Sequence, residues 1–493
     1  LLLSLLWFAT AAVWAETYHV DAIAGDDQQT GLNDRAGGIS PWRSLARVHR
    51  AQLRKGDAVL FKRGGRWLGP LKLASGVTYG AYGSGALPVI SGAVDIAAPV
   101  SWPAAGSVHT MPLSLGPQLP TQLFMEDTSG RVLKLTRARH PNVGQGAFGA
   151  GSRYLAVATD QDPGRSGELR INEGVLPSQA DMGQALAFVR NDRWALSAYR
   201  VEQVQRGRVL QIQPIRREIL PVRPGWGYWL ENARWMLDSP GEWFYDQRKQ
   251  QLHVWLPEGA TGRPFKLRLS VAPHGVVGRD VRHFTLKDLE IRETADDGID
   301  ITGAQDGFRI ERVVVTRAGQ RGLSITGSRG GILKQVQVLD SADEGISLGD
   351  FRFMPHVQPS RDIEISGCVV RQAGLDYYAH SAVVLGDGGR LEGCRIENAP
   401  FIGIHAWKNN VIKGNHVMGA CLAFDDCGAI YTISRHGGRR GYPLNVLIEG
   451  NLITAAPSGL AASDGLRRDG VPGPTWRSET RGIYLDDDSR DVR

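Results

Sequence analysis

Gly298-Ile299-Asp300-Ile301 recurs as Gly322-Leu323-Ser324-Ile325 and as Gly345-Ile346-Ser347-Leu348. It returns as Ala382-Val383-Val384-Leu385, Gly403-Ile404-His405-Ala406, Ala429-Ile430-Tyr431-Thr432 and Gly482-Ile483-Tyr484-Leu485. The second position is always aliphatic, and the third is polar or aromatic in every unit but one. Successive units begin 24, 23, 37, 21, 26 and 53 residues apart. Short strands with Gly-rich corners at a period in the low twenties are the coils of a parallel β-helix. Leucine-rich repeats share the period, but their Leu/Asn spacing is absent.

A second strand is expected after each first one: Ile310-Glu311-Arg312-Val313, Leu333-Lys334-Gln335-Val336, Ile365-Ser366-Gly367-Cys368, Leu391-Glu392-Gly393-Cys394, Ile412-Lys413-Gly414-Asn415 and Ile448-Glu449-Gly450-Asn451. Coils stack like over like, about 4.8 Å apart. Val313, Val336, Cys368, Cys394, Asn415 and Asn451 therefore form one column, and Ile299, Leu323, Ile346, Val383, Ile404, Ile430 and Ile483 form another that faces inward. The three longer spacings mark loops near 351–360, 433–443 and 455–479, placed to wall a cleft.

Upstream of the repeat the pattern changes. Residues 96–270 carry more Trp and Pro, with short strands such as Val254-Trp255-Leu256 closed by Pro257-Glu258-Gly259. They are expected to form a β-sandwich-like insert. Residues 16–95 read as an N-terminal cap with the first coils, and 271–493 as the main β-helix. In the cap, Ser40-Pro41 with Leu45, Val48 and Leu53 predicts a short helix with Ser40 as N-cap and Pro41 at its first position. The opening run LLLSLLWFATAAVWA (1–15) has the apolar stretch and small-residue end of a signal peptide, which predicts a secreted or periplasmic protein. It is too short to span a membrane. A capping coil is expected to follow the last repeat strand, because a solenoid core needs a cover.

Of 493 residues, 61 are Gly, about 12 % against a usual ~7 %. Without a G-X-Y period this excludes collagen. Lys and Arg number 57 and Asp and Glu 51, a net charge of +6 with the signs interspersed. Such a surface suits a sugar polymer, anionic ones included, better than nucleic acid. A monomer is expected.

The third position of the repeat should face solvent, giving a column of Asp300, Ser324, Ser347, Val384, His405, Tyr431 and Tyr484. Beside it lie Asp296, Asp297, Asp343, Glu344, His380, Asp425 and Asp426. A groove of carboxylates, His and Tyr fits an extended glycan, with aromatic faces stacking on sugars and carboxylates bonding hydroxyls. Glycoside hydrolysis needs two carboxyl groups a few ångströms apart, a spacing that neighbouring or alternate coils supply. Asp297, Arg321 and Glu344 read as a salt-bridge ladder. Asp343 and Glu344, one coil from His380, form a candidate catalytic cluster. Asp425 and Asp426, with His405 and Tyr431, form another, and a Cys421–Cys427 disulfide could stiffen the loop that holds the acids. No cofactor is expected, but Asp486 and Asp487 are candidate Ca²⁺ ligands should the chemistry be β-elimination. On a strand, at most two of Asp486, Asp487 and Asp488 share a side.

Several stretches carry a resemblance. Tyr18-His19-Val20-Asp21-Ala22, Gly25-Asp26-Asp27, Pro41-Trp42-Arg43-Ser44-Leu45 and Asp57-Ala58-Val59-Leu60-Phe61-Lys62-Arg63-Gly64-Gly65 resemble the opening of exported right-handed parallel β-helix proteins of the pectate-lyase-like group. Gly225-Trp226-Gly227-Tyr228 and Asp238-Ser239-Pro240-Gly241-Glu242-Trp243 resemble the β-sandwich insert of β-helix glycoside hydrolases of the β-xylosidase and fucosidase/xylanase kinds. Asp426-Cys427-Gly428-Ala429-Ile430-Tyr431 and the stretch 482–488 look like recurring motifs of that group. The resemblance spans nearly the whole chain and implies an all-β right-handed solenoid and a carbohydrate-active enzyme, first a glycoside hydrolase. A polysaccharide lyase or epimerase acting on uronates, or a non-catalytic glycan-binding surface protein, shares the architecture. Thr294-Ala295-Asp296-Asp297-Gly298-Ile299-Asp300 is locally similar to the first acidic motif of polygalacturonases, but Arg321-Gly322-Leu323 follows where a second acidic motif belongs.

Overall fold

Each coil of the chain turns through three strands, not two. In one coil they are Ile299–Thr302, Phe308–Glu311 and Val314–Thr316, and Leu323–Thr326 opens the next. The expected strand Ile310–Val313 is interrupted because Arg312 takes a left-handed φ of 51° and bends the chain. The equivalent residues Asp288, Gln335, Gly367, Gly393, Gly414 and Gly450 share that conformation, φ 54° to 62°. Gly takes it without strain and short polar residues take it at modest cost. A single-residue bend of this kind leaves no mark in hydrophobic periodicity.

The computed structural model describes residues 15–32, 38, 40–96, 108–116, 119–142, 154–164, 167–171, 176, 182–215, 220–260, 264–349, 358–377, 379–434, 443–454 and 480–493. The apolar leader expected at 1–15 and the loops expected near 351–360, 433–443 and 455–479 fall wholly or largely outside them.

Stacked coils make three parallel sheets of ten, nine and nine strands. Pairing runs Ile299↔Leu323↔Ile346↔Val383↔Ile404↔Ile430↔Ile483 in the sheet of the repeat. The first six are fully buried, each contributing about 1.5–3 kcal/mol of burial. Ile483 keeps the register but is 47 % exposed, because it lies on the last described strand of the stack. Gly at the head of the repeat answers to close approach: a Cβ on Gly322 would stand 2.2 Å from Val338 Cγ1 and 2.6 Å from the carbonyl oxygen of Gly345.

The second column also stacks, Val313 to Asn415 buried and Asn451 partly so. Within it a Cys368–Cys394 disulfide bridges adjacent coils. The Cys394 N–H then donates to Asn415 Oδ1 and the Asn415 N–H to Asn451 Oδ1, each at 2.9 Å. These amides satisfy backbone donors that the turns leave unpaired.

A lobe is spliced into the first complete coil. Leu71–Lys72, Thr78–Tyr82 and Val89–Ser91 pair directly with Val276–Arg279, Thr285–Lys287 and Glu290–Arg292. Between them Ala93–Ile96 and Phe265–Ser270 leave and return antiparallel to each other, so the excursion does not break the coil register. The residues they enclose build two seven-stranded, largely antiparallel sheets. Alternation divides their side chains, with Trp243 and Tyr245 in one core and Phe244 in the other. Arg268 locks the lobe to the solenoid, its Nε and Nη2 donating to Glu293 at 2.7 Å. Burial opposes charge on Glu293, but Arg268, Arg317 and Arg292 outweigh it and hold the carboxyl below its ordinary range.

At the N-terminal end the helix is Leu45–Arg50, and its N-cap is Ser44, which accepts from the Arg47 N–H at 3.1 Å. The start expected at Ser40-Pro41 is displaced because Trp42 is buried and bridged to Val20 in extended form. Among the described residues no helix is long and apolar enough to cross a membrane.

Candidate functional site

The corner that precedes each strand of the repeat sheet collects the polar side chains. In the early coils they neutralise one another. The Arg321 backbone N–H and Nε donate to Asp297 Oδ1 at 3.0 and 3.1 Å, and Nη2 donates to Oδ2 at 3.1 Å. Burial pushes the Asp297 carboxyl up, with Arg321 opposing. Burial of Arg321 works against its charge, but the carboxylates of Asp297, Glu344 and Asp343 outweigh it and hold the guanidinium above its ordinary value. This is the expected ladder, with Glu344 acting on Arg321 through its field.

One coil further, His380 Nδ1 stands 2.5 Å from Asp343 Oδ1 and 3.9 Å from Glu344 Oε1. Asp343 and Glu344 are buried and His380 is partly exposed. The predicted trio is therefore assembled, with both carboxylates on one ring nitrogen. The inserted lobe packs on this corner: the Phe188 ring lies 6.0 Å from that of Tyr377, and Gln320 Nε2 donates to the Tyr377 hydroxyl at 3.3 Å. Burial pushes the Tyr377 phenol up to about 12.

Five of the seven third-position residues do not face solvent as expected, while Asp300 and Tyr484 keep partial exposure. Ser324, Ser347, Val384, His405 and Tyr431 are all 5 % exposed or less. Strand alternation points them outward, but it cannot report what packs over them. In the late coils this column becomes an aromatic ladder. His405 and Tyr431 meet edge to face at 5.3 Å, and Tyr431 and Tyr484 do so at 5.5 Å. Register pairs them, His405↔Tyr431↔Tyr484.

Each tyrosine of the ladder donates to an aspartate. The Tyr431 hydroxyl bonds Asp486 Oδ2 at 2.5 Å, and the Tyr484 hydroxyl bonds Asp426 Oδ1 at 3.0 Å. Each phenol thus serves an acid on the other's segment, 55 and 58 residues away in sequence. Asp426 sits at φ 59° in a turn closed by the Cys421–Cys427 disulfide. From the lobe, Arg193 places Nη2 3.4 Å from Asp426 Oδ2. Asp425 is buried, and its N–H donates to the Arg193 carbonyl at 3.2 Å.

Asp486 and Asp487, the candidate Ca²⁺ ligands, lie at the end of the last described strand. Asp486 is engaged by Tyr431 and accepts the Asp487 N–H at 2.9 Å, and Asp487 and Asp488 turn the chain with positive φ. Among the described residues no group of three or more His, Cys, Asp or Glu side chains could hold a metal ion. Sequence reasoning missed Arg193, Arg190, the role of Tyr484 and the Cys368–Cys394 bridge. The arginines lie in a segment without periodicity. For the disulfide the column Cys368 over Cys394 was itself the signal.

Residues 269–417 match the family model described as a right handed beta helix region. Among solved structures, one named "Glycoside hydrolase" superposes with a TM-score of 0.69 at 15 % identity, over 97 % of this chain and 96 % of that one. The complex of XylC with xylose aligns with a TM-score of 0.44 at 11 % identity, over 96 % of this chain and 70 % of that one. The lacto-N-biosidase from Eubacterium ramulus aligns with a TM-score of 0.30 at 13 % identity, over 95 % and 68 %. At such identities the likeness is one of fold. The protein is a right-handed parallel β-helix, similar in architecture to a β-helix glycoside hydrolase. No curated protein matches the sequence.

Proposed function

We propose that this right-handed parallel β-helix protein is an exported carbohydrate-active enzyme that hydrolyses glycosidic bonds of a polysaccharide or oligosaccharide, with Asp426 and Asp486 as its paired carboxylates. One observation carries the reading: two tyrosines stacked on adjacent coils each donate to one of the two acids. That arrangement holds a carboxyl group beside each of the two paired strands, and glycoside hydrolysis works through two carboxyl groups. One donates its proton to the departing glycosidic oxygen as the C–O bond breaks. The other acts at the anomeric carbon, either directly or by taking a proton from the attacking water, so that water is added across the bond. His405 packs edge to face on Tyr431 and so backs the tyrosine that holds Asp486.

The near-complete structural match to a protein named a glycoside hydrolase supports the class. The apolar leader supports export, as do two disulfides, which persist in oxidising compartments. β-Elimination is less well served. It would take His405 and Tyr431 as base and acid, but the Tyr431 phenol is engaged by Asp486 and both side chains are buried.

The test is turnover of a glycan panel read by release of reducing ends. Wild type should produce reducing ends without unsaturated-uronate absorbance, and Asp426→Asn and Asp486→Asn should each abolish release. Unsaturated products would move the assignment to a lyase. Failure of every glycan to turn over, with binding retained, would make the protein a glycan-binding one.

A further inference from the structure

The inserted lobe reaches the late-coil acids through one hairpin turn, between strands Leu186–Asp192 and Ala195–Gln205. Two arginines of this hairpin face the Asp426 turn, and they do different things. Arg190 is buried, its guanidinium 4.5 Å over the Phe424 ring. It donates through Nη1 to the Ala423 carbonyl at 3.4 Å and through Nη2 to the Arg193 carbonyl at 3.0 Å. The Arg193 carbonyl also takes the Asp425 N–H. Hairpin and turn are thereby held together by their backbones. Asp192, the neighbouring acid, is occupied by Arg223 at 2.8 Å. The Arg193 side chain stands beside Asp426, about a third exposed, with Nη2 3.4 Å from Oδ2.

We propose that Arg193 is a positioning residue that keeps Asp426 ionised, which makes Asp426 the base or nucleophile of the pair. This rests on the reading of Asp426 and Asp486 as the reacting carboxylates. An opposite charge within about 4–6 Å favours the charged form of a carboxyl, and a phenol that donates to it acts in the same direction. Asp426 has both, one on each oxygen. The other charged or titratable groups around it come from several elements. Asp425 is on its own turn, His405 lies on strand Ile404–Ala406 of the preceding coil, and Tyr431 lies on strand Cys427–Ile433, which follows the turn. The last coil supplies Asp486 and Arg481, whose guanidinium lies 5.8 Å from the Tyr484 ring centre.

A substrate cleaved by the wild type allows a decisive comparison of pH–rate profiles for kcat/KM. In Arg193→Gln the acidic limb should move to higher pH by about one unit or more, the size of effect an adjacent guanidinium has on an aspartate. Arg193→Lys, which keeps the charge, should restore most of the profile. A residue that only docks the lobe would lower the melting temperature and leave the limb where it was. An Arg193→Gln profile superimposable on wild type, with Asp426→Asn inactive, overturns the role of Arg193 and leaves the catalytic pair standing. Full activity in Asp426→Asn overturns the pair and this inference together.

Discussion

Two Asp–Arg pairs occupy the same corner of the solenoid a few coils apart, and they are built differently. Asp297 and Arg321 come from successive coils, meet through three hydrogen bonds and are largely withdrawn from water. Their donors and acceptors are spent on each other, so the pair holds the corner. Asp426 and Arg193 come from different parts of the fold, meet at a longer distance of 3.4 Å and keep partial exposure. A tyrosine takes the remaining carboxylate oxygen. The contrast teaches that a buried acid in this corner is structural when its cation lies in the same ladder. Where the cation is instead brought from the lobe, the acid keeps partial exposure and an oxygen for a phenol.

Exchanging the acid for its amide in each pair should separate the two roles. Asp426→Asn should lower kcat by about 10³-fold, within the range for loss of a general acid–base or nucleophilic group. Its melting temperature should hardly change, since a partly exposed ion pair is worth only about 0–1 kcal/mol. Asp297→Asn should do the reverse. Breaking a buried pair costs about 3–5 kcal/mol, so the melting temperature should fall by several degrees while activity per folded molecule stays near wild type. Calorimetry alongside the turnover assay reads both, and activity lost in the two variants to the same extent breaks the distinction.

A smaller effect sharpens it. Tyr484→Phe removes one hydrogen bond to a charged acceptor, worth about 1.5–3 kcal/mol, so kcat should drop roughly ten- to a hundredfold. Asp297 has no counterpart to that phenol among its described hydrogen bonds. If Tyr484→Phe is as active as wild type, the phenol only packs.

The smallest effect is a control on the lobe that carries Arg193. Burial, with the Asp238 carboxylate adding to it, pushes Glu242 up to about 7 from an ordinary 4.5. Between those values the unfolded chain releases a proton that the folded lobe retains. The contribution of Glu242 to stability is therefore full below about 4.5 and is lost as pH rises to about 7. Wild-type melting temperature should decline across that window relative to Glu242→Gln, whose curve is flatter. An activity profile that follows the melting curve, and flattens in Glu242→Gln, would assign the pH dependence to the lobe and not to Asp426.

Much of the solenoid was readable before any coordinates. Ile299 to Ile483 recur at intervals in the low twenties, lengthened where loops are inserted, with an aliphatic residue at one position, and only an inward stack buries such a column. The same columns brought His380 to Asp343 and Glu344, and Tyr431 to His405, because register between coils is read directly from spacing. The third strand of each coil escaped notice because Arg312 and its equivalents differ in residue type and share only a backbone angle. The helix start went wrong at Ser40-Pro41 because Trp42 has a better use in the core than in a helix. The outward column looked solvent-exposed because alternation gives direction and not cover.

What the sequence determined alone is the parallel β-helix, its inward columns and the segment whose composition departs from it. These depend on periodicity, and every coil repeats the same physical demand to bury one face. Only tertiary structure decided the site. The crossed tyrosine–aspartate bonds join residues more than fifty positions apart. Arg193 reaches Asp426 from 233 positions away in a lobe that shares no period with the coils. Where a non-repeating lobe sits is set by the fit of two surfaces, by Arg268 against Glu293 and by Arg190 over Phe424, and no single stretch of chain encodes such a fit.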